Sequence, residues 1–446
     1  MTRNKPGLFS SRSSSQQFLL YNTDSEQKYE KRKGRPSDDI NRLTQIFPDI
    51  LVGKNFVVHT MEELNSSAEF GAVVIRIDEL NQNDKTLEND RDADLMIDVA
   101  KAINTICKSE SGMWGKLSKN MFGCFLPGKN EKSALELAKK LQNNLAELRK
   151  DTVSIGVACY PTTGFARDQV LDNALKALDH AAFFGPGSTV SFDAVSLNIS
   201  GDKMYQNGDF DEAIIEFKAA LLLDPANVNV HNSLGVCYGV LDKYEKALEA
   251  FEEAIGLDPE ETMALYNAGF ANMIMDNKDK ALEYFLDADC KEADIFEVAL
   301  QTGRLYLEME NSEKGKTFIE KAIKIKPESG FAFRYLGECY TALNKTDEAV
   351  SAYKKAIRIN PNDADSLSAL GHLFDLKGEN PEITTIFCQQ SVDIAPENGL
   401  FRYRLGGLFL KRNMLEDALE QLQKADELGH DTKELIQKTE RLMLDN

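Results

Sequence analysis

Seven glycines, Gly201, Gly235, Gly269, Gly303, Gly337, Gly371 and Gly406, follow one another at 34 residues five times and at 35 once. Other columns keep the same step. Ala213, Ala247, Ala281, Gly315, Ala349 and Ala418 stand twelve residues after a ladder glycine, and only Ile383 breaks that column. Ala220, Ala254, Ala288, Ala322, Ala356, Ser391 and Ala425 come next, and Pro225, Pro259, Pro327, Pro361 and Pro396 close five of the units. A period of this size is that of a solenoid, in which each supersecondary unit buries its apolar face against the next. Small residues let two antiparallel helices approach closely, and proline, which has no N–H, ends the second helix of each unit.

These columns resemble the tetratricopeptide repeat, a helix–turn–helix unit. In the second unit Leu234, Gly235, Tyr238, Ala247, Phe251, Ala254 and Pro259 fall where that family expects them. The fifth repeats the pattern with Leu336, Gly337, Tyr340, Ala349, Tyr353, Ala356 and Pro361. The sixth is irregular, with Pro381 in the turn between its helices and one extra residue before Pro396. Seven repeats over 194–431 are expected, then a capping helix within 432–446 carrying Leu435, Ile436, Thr439, Leu442 and Met443. The resemblance implies an all-α superhelical solenoid whose first helices wall a groove for a protein or peptide. On that pattern the groove residues are Asn232, Val236, Met263, Tyr266, Asn267, Phe270, Met273, Arg304, Phe331, Arg334 and Tyr335. Tyr, Phe, Met and Arg together match the composition of interface hot spots.

Charge narrows the partners. The net charge is −20, and residues 194–446 hold 27 Lys+Arg against 46 Asp+Glu. Such a field repels nucleic acid and anionic membranes and favours a partner of basic character. Neither a nucleic-acid nor a membrane partner is expected. The seven cysteines are scattered, without a C-x-x-C pair, and read as small buried hydrophobes of a reducing compartment. There is no apolar leader and no long apolar run, so a cytoplasmic location is expected. Residues 1–41, with Lys31, Arg32, Lys33 and Arg35, are too polar to offset ordering entropy and read as a disordered tail.

Over 42–193 the pattern turns to mixed α/β. Strands are expected at 71–78, 121–128, 152–159 and 189–192, and helices at 95–106, 131–148 and 169–184. This order suits one sheet covered by helices on a single face. Asp49, Leu51 and Gly53, the run Val153, Ser154, Gly156, Val157 and Ala158, and Ala177, Leu178, Ala181 and Gly185 resemble the GGDEF domain of diguanylate cyclases. Active members of that family use carboxylates to hold two divalent cations and glycines to admit the phosphates of GTP.

This chain departs from that chemistry. The first metal aspartate becomes Arg76, and the Gly-Gly-Asp-Glu-Phe hairpin becomes Ser118, Lys119, Asn120, Met121 and Phe122. The phosphate-facing cations become Ala182 and Pro186, and the product-binding Arg-x-x-Asp falls on Ser109 and Gly112. The guanine-binding aspartate falls on Ala93, with Asp92 and Asp94 beside it. Asp78 remains alone, while Arg76, Lys116 and Lys119 would gather at the old site. A cation in place of a ligand repels Mg²⁺. The expected protein is therefore a cytoplasmic bacterial adaptor that is not an enzyme and needs no cofactor or metal. Its groove would bind a protein, and its degenerate cyclase-like domain would associate with a second copy or a true diguanylate cyclase. The alternative is a sensor of GTP or cyclic di-GMP coupled to the solenoid.

Overall fold

The computed structural model describes residues 38–78 and 89–444. The basic run at 31–35 lies outside the described residues, as does the expected tail through residue 37. The chain forms two compact units, Met1–Asn267 and Ala268–Asn446.

The first unit opens with α1 (Asp38–Ile46), β1 (Leu51–Val52), α2 (Lys54–Glu63), β2 (Phe70–Ile77), α3 (Asn89–Ser109), β3 (Met113–Lys116) and β4 (Met121–Pro127). It continues with α4 (Glu131–Leu148), β5 (Val153–Tyr160), α5 (Val170–Ala181) and β6 (Thr189–Ser191). The strands form one sheet in the order β1-β3-β4-β2-β5-β6, antiparallel except at its two edges. β2 is central because every second residue is apolar on each face. Val73, Ile75 and Ile77 pair across to Cys124, Phe122, Val157, Ile155 and Val153 and pack on α3 and α4. Ala72 and Val74 point the other way, with Phe125 and Ala158, onto α2 and α5. The expectation of helices on a single face is thus corrected: both faces are covered, because β2 is apolar at successive residues rather than alternate ones. Strands β1 and β3 and helices α1 and α2 were missing from the sequence reading; β3 is short and carries Gly115 and Lys116. Gly156 faces α5 so closely that an added Cβ would overlap the Ala174 carbonyl and the Leu178 nitrogen.

The α/β domain does not end at a free linker. Asp193 caps α6 (Ala194–Asn207) by accepting from Ser196 N at 2.8 Å. His180 of α5 lies 3.3 Å from Asp193 Oδ1 and 3.2 Å from Ser196 Oγ. Lys176 of α5 reaches Glu216 of α7 (Phe210–Leu223) at 2.8 Å, and Lys203 reaches Asp179 at 3.0 Å. Phe165 and Phe192, edge to face at 5.2 Å, pack against the core of α6 and α7. The domain and the first helix pair therefore share a buried seam. The unit also holds α8 (Val228–Val240) and α9 (Tyr244–Leu257), and the division falls inside α10 (Thr262–Ile274).

The second unit holds α11 (Lys278–Lys291), α12 (Phe296–Glu308), α13 (Ser312–Ile325), α14 (Gly330–Ala342) and α15 (Thr346–Ile359). It ends with α16 (Ala364–Lys377), α17 (Pro381–Ile394), α18 (Gly399–Lys411), α19 (Leu415–Glu427) and α20 (Lys433–Leu444). Pro381 is not in the turn but opens α17, where Asn380 caps the helix and the missing N–H has no intrahelical role.

The ladder glycines have one job. A Cβ at Gly269 would stand 2.7 Å from Phe285 Cδ1, and at Gly337 2.7 Å from Tyr353 Cε1. Gly201 meets Phe217, Gly235 meets Phe251, Gly303 meets Ile319 and Gly406 meets Leu422 in the same way. Each is the seat for the large side chain of the paired helix. A second column went unread. Gly208, Asp242, Asp276, Glu310, Asn344, Gly378 and Asn413 all carry positive φ, between 57° and 86°, and close the turn within each pair. Most are residues that enter the left-handed region readily; Glu310 is not.

Two outcomes follow from this packing. Gly235→Ala destabilises the full chain by about 1–3 kcal/mol in urea unfolding through overpacking, and Phe251→Leu added to it recovers part of the loss. Glu310→Gly raises the unfolding midpoint, by up to about 1 kcal/mol, because it relieves a left-handed Cβ penalty of roughly 1–2 kcal/mol against glycine's extra chain entropy.

Candidate functional site

The degenerate cyclase hairpin is the turn between β3 and β4. Leu117 N and Ser118 N both donate to Met121 O, at 2.9 and 3.2 Å. Asn120 is buried and its carbonyl accepts from Ile77 N at 2.9 Å, whereas Lys119 is exposed. Arg76 stands in register between Met121 and Ser154, with Nε 4.0 Å from Asp78 Oδ1. Asp78 Oδ2 accepts from Thr152 Oγ1 and from Gly187 N, both at 2.8 Å. The retained carboxylate therefore ties the end of β2 to the segments before β5 and β6. Lys116 is buried, its Nζ 2.9 Å from Met96 Sδ, and so does not gather with Arg76 and Lys119 as an exposed cationic patch.

Two divalent cations would each need about six oxygen ligands. The described residues here offer one occupied carboxylate, an amide and two or more cations, and this donor set does not fit that pair. Among the described residues no group of three or more His, Cys, Asp or Glu could hold a metal ion. A cavity of about 610 Å³ opens where the sheet meets α6 and α7, but Glu69, Glu131, Asp193 and Asp224 line it. Carboxylates on its walls repel a triphosphate.

The second candidate is the face made by the first helices of the repeats. Six residues read as groove-lining are buried instead. Asn232, Val236, Met263, Tyr266 and Phe270 are 8, 1, 7, 3 and 3 % exposed, and Asn267 is fully buried. The physical reason is visible in the first unit, where Asn267 Nδ2 donates to Asn232 Oδ1 at 2.9 Å, satisfying one side chain with the other. Asn232 and Asn267 thus hold α8 and α10 together, and none of the six is a free surface.

The open part of this face lies in the second unit. Phe331 is 56 % exposed, and the Arg334 guanidinium sits over its ring at 5.2 Å and over Tyr335 at 5.1 Å. Arg334 Nη1 bonds Asp365 at 2.7 Å and Asp363 at 3.2 Å, with Glu338 3.8 Å from Nε. Burial pulls its pKa down, yet Asp363 and the other acidic neighbours leave it raised overall. Arg304 is spent differently, on Glu308 at 2.8 Å along its own helix. Burial pushes the Glu338 carboxyl up to about 7, with Asp365 and Asp363 adding to it and Arg334 opposing.

Glu338, Asp363, Asp365, Ser368, His372 and Arg404 were missed by the sequence reading. Glu338 and His372 follow a ladder glycine directly, as Val236, Phe270 and Arg304 do, and Arg404 precedes Gly406 by two, as Tyr335 precedes Gly337. The column runs on unbroken through Glu338 and His372, since the extra residue of the sixth unit falls after Gly378. The cysteine reading also needs correction, since Cys290 is exposed and Cys159 half-buried. No helix among the described residues is long and apolar enough to cross a membrane.

Comparison with known proteins follows this division. Residues 42–183 match the family described as diguanylate cyclase, GGDEF domain. Residues 201–239 and 337–378 match TPR repeat, and 228–261 and 297–329 match tetratricopeptide repeat. The crystal structure of MamA protein is 30 % identical over 38 % of this chain and 93 % of that chain, with a TM-score of 0.35. A tetratricopeptide repeat protein from Parabacteroides merdae is 18 % identical over 56 % of this chain and 98 % of its own, TM-score 0.44. YrrB, described as a TPR protein with an unusual peptide-binding site, is 19 % identical over 42 % and 95 %, TM-score 0.37. No curated protein matches the chain.

The Glu338 carboxyl gives a pH test. Its folded pKa, about 7, lies above the ordinary value of 4.5, so its contribution to stability is complete below 4.5 and is lost as pH rises through 7. Glu338→Gln is expected to match the wild type in thermal unfolding at pH 4 and to exceed it increasingly up to pH 8.

Proposed function

This chain belongs to the tetratricopeptide-repeat proteins and carries a GGDEF-family domain before its repeats, and from that premise we infer that it is a non-catalytic adaptor. It grips a segment of a protein partner on the first-helix face of its later repeats. The observation that carries this reading is the Phe331–Arg334–Tyr335 cluster, an exposed aromatic with a guanidinium over its ring. Rigid aromatic and arginine anchors of this kind concentrate binding energy in protein interfaces. The cyclase-like domain serves as a platform: the seam through Lys176, Glu216, His180 and Asp193 joins it to the first repeat. With Arg76, Lys119 and a committed Asp78 at the old hairpin, it is expected neither to condense GTP nor to need a metal.

The full chain incubated with GTP and Mg²⁺ or Mn²⁺ is expected to give no cyclic di-GMP, and titration calorimetry with GTP or cyclic di-GMP to show no binding tighter than millimolar. Turnover that Asp78→Ala abolishes defeats the adaptor reading. Phe331→Ala is expected to weaken peptides selected on the full chain by about 2 kcal/mol, near thirtyfold, without lowering the thermal midpoint.

A further inference from the structure

Several guanidinia of the second unit have no carboxylate within 4.0 Å among the described residues; Arg358, Arg412 and Arg441 are exposed and Arg402 has two hydrogen bonds, to Pro396 O and Gln421, which leaves Arg404 as the half-buried one with the fewest partners. Arg404, on α18, is half-buried, and its Nη1 donates to Ser368 Oγ on α16 at 2.8 Å. That is its one hydrogen bond among the described residues, although a guanidinium carries five N–H donors. No carboxylate lies within 4.0 Å of it, and none of its nitrogens is both buried and without a partner, so the unused N–H groups face solvent. Arg334, by contrast, has three carboxylates around it.

Its surroundings strengthen the contrast. Burial lowers the Arg404 pKa, which is the direction expected of a cation that nothing neighbouring compensates fully. His372, on α16, is held below its ordinary pKa by burial first and by Arg404 second; Lys411 adds to this and Asp375 opposes it. Lys411 is itself paired to Asp375 at 2.6 Å. Ser368 is fully buried, so its hydroxyl fixes the guanidinium from beneath and leaves the outer edge open. In a region with 27 Lys+Arg against 46 Asp+Glu, carboxylates are abundant, yet none comes within 4.0 Å of Arg404; Asp365, already bonded to Arg334, acts on it only from farther off. Leaving a charge partly desolvated costs stability unless something pairs with it.

We propose that Arg404, positioned by Ser368 and flanked by His372, is an anion subsite that takes an Asp or Glu side chain of the bound protein segment. This rests on the adaptor reading and refines it. The exposed Phe331 with the arginine over its ring takes an apolar or aromatic residue, and Arg404 takes an acidic one through charge-assisted N–H···O bonds that a planar guanidinium makes in pairs. It also refines the expectation from net charge: the partner need not be basic where it meets the last two repeats.

Two measurements on the full chain test it. Random peptides are selected on the wild type, and the enriched sequences are synthesised with amidated C-termini, so that only side-chain carboxylates are present. An acidic position is expected in them; Arg404→Gln, or Asn or Gln at that position, is expected to weaken binding at least about tenfold, with Arg404→Lys intermediate. Separately, the His372 imidazole is titrated by NMR in acetate against sodium chloride of equal ionic strength. Acetate is expected to raise the His372 pKa in the wild type and not in Arg404→Gln, with circular dichroism confirming that the variant is folded. Peptides that bind without an acidic position, and with Arg404→Gln harmless, overturn the subsite and leave the adaptor reading standing. If no peptide is enriched, the adaptor reading fails, and the acetate titration alone decides the anion site: an Arg404-dependent shift keeps it, an identical or absent shift removes it.

Discussion

Every repeat but the sixth is held by a glycine pressed against a large side chain of its partner helix. The seat is unforgiving, since an added methyl group would lie 2.7 Å from ring atoms of Phe285 or Tyr353, well inside contact distance. Because the glycine backbone is the contact surface, the two helices approach as closely as backbones allow, and the small residues Ala213, Ala247, Ala281 and Ala349 are fully buried in the same helix pairs. The left-handed residue seven positions after each glycine then turns the chain back. The sixth unit shows the constraint operating under an insertion: one extra residue moves the seat from Phe387 to Cys388, whose sulfur is small enough to meet Gly371.

The α/β domain obeys a similar rule with a different outcome. Gly156 lets α5 lie directly on β5, and the apolar pairs across β2 fill both faces. Of the hairpin residues, Ser118 and Lys119 lie outside these cores, while Leu117, Met121 and Phe122 pack into them. Asp78 is bound into the scaffold through Thr152 and Gly187. The domain survives as a body that α5 docks onto the first repeat, with its ion pairs partly shielded from solvent and hence little screened.

Electrostatics on the first-helix face are decided by which charges are already paired. Arg304 and Arg334 are committed to Glu308 and to Asp363 and Asp365, while burial beside the same aspartates pushes Glu338 up to about 7. Arg404 is the counterexample, a cation with a neutral partner. Net charge, which counts every residue equally, hides this difference.

The amino-acid sequence determined the repeat architecture, because a fixed step of glycine, alanine and proline admits one way of pairing helices. It also placed α4 at Glu131–Leu148 and the strands β2, β4, β5 and β6 within a residue or two, since their apolar periods are clear. It did not determine which first-helix residues meet solvent. Tyr266 and Arg334 sit at the same place in their repeats, yet one is 3 % exposed and the other half-buried between two rings. Burial there depends on the neighbouring repeat, and the pairing of Arg334 with residues 29 and 31 positions away depends on how α14 meets α16. A column of residue types records what each unit needs internally; contacts between units are long-range, and only the tertiary structure decides them.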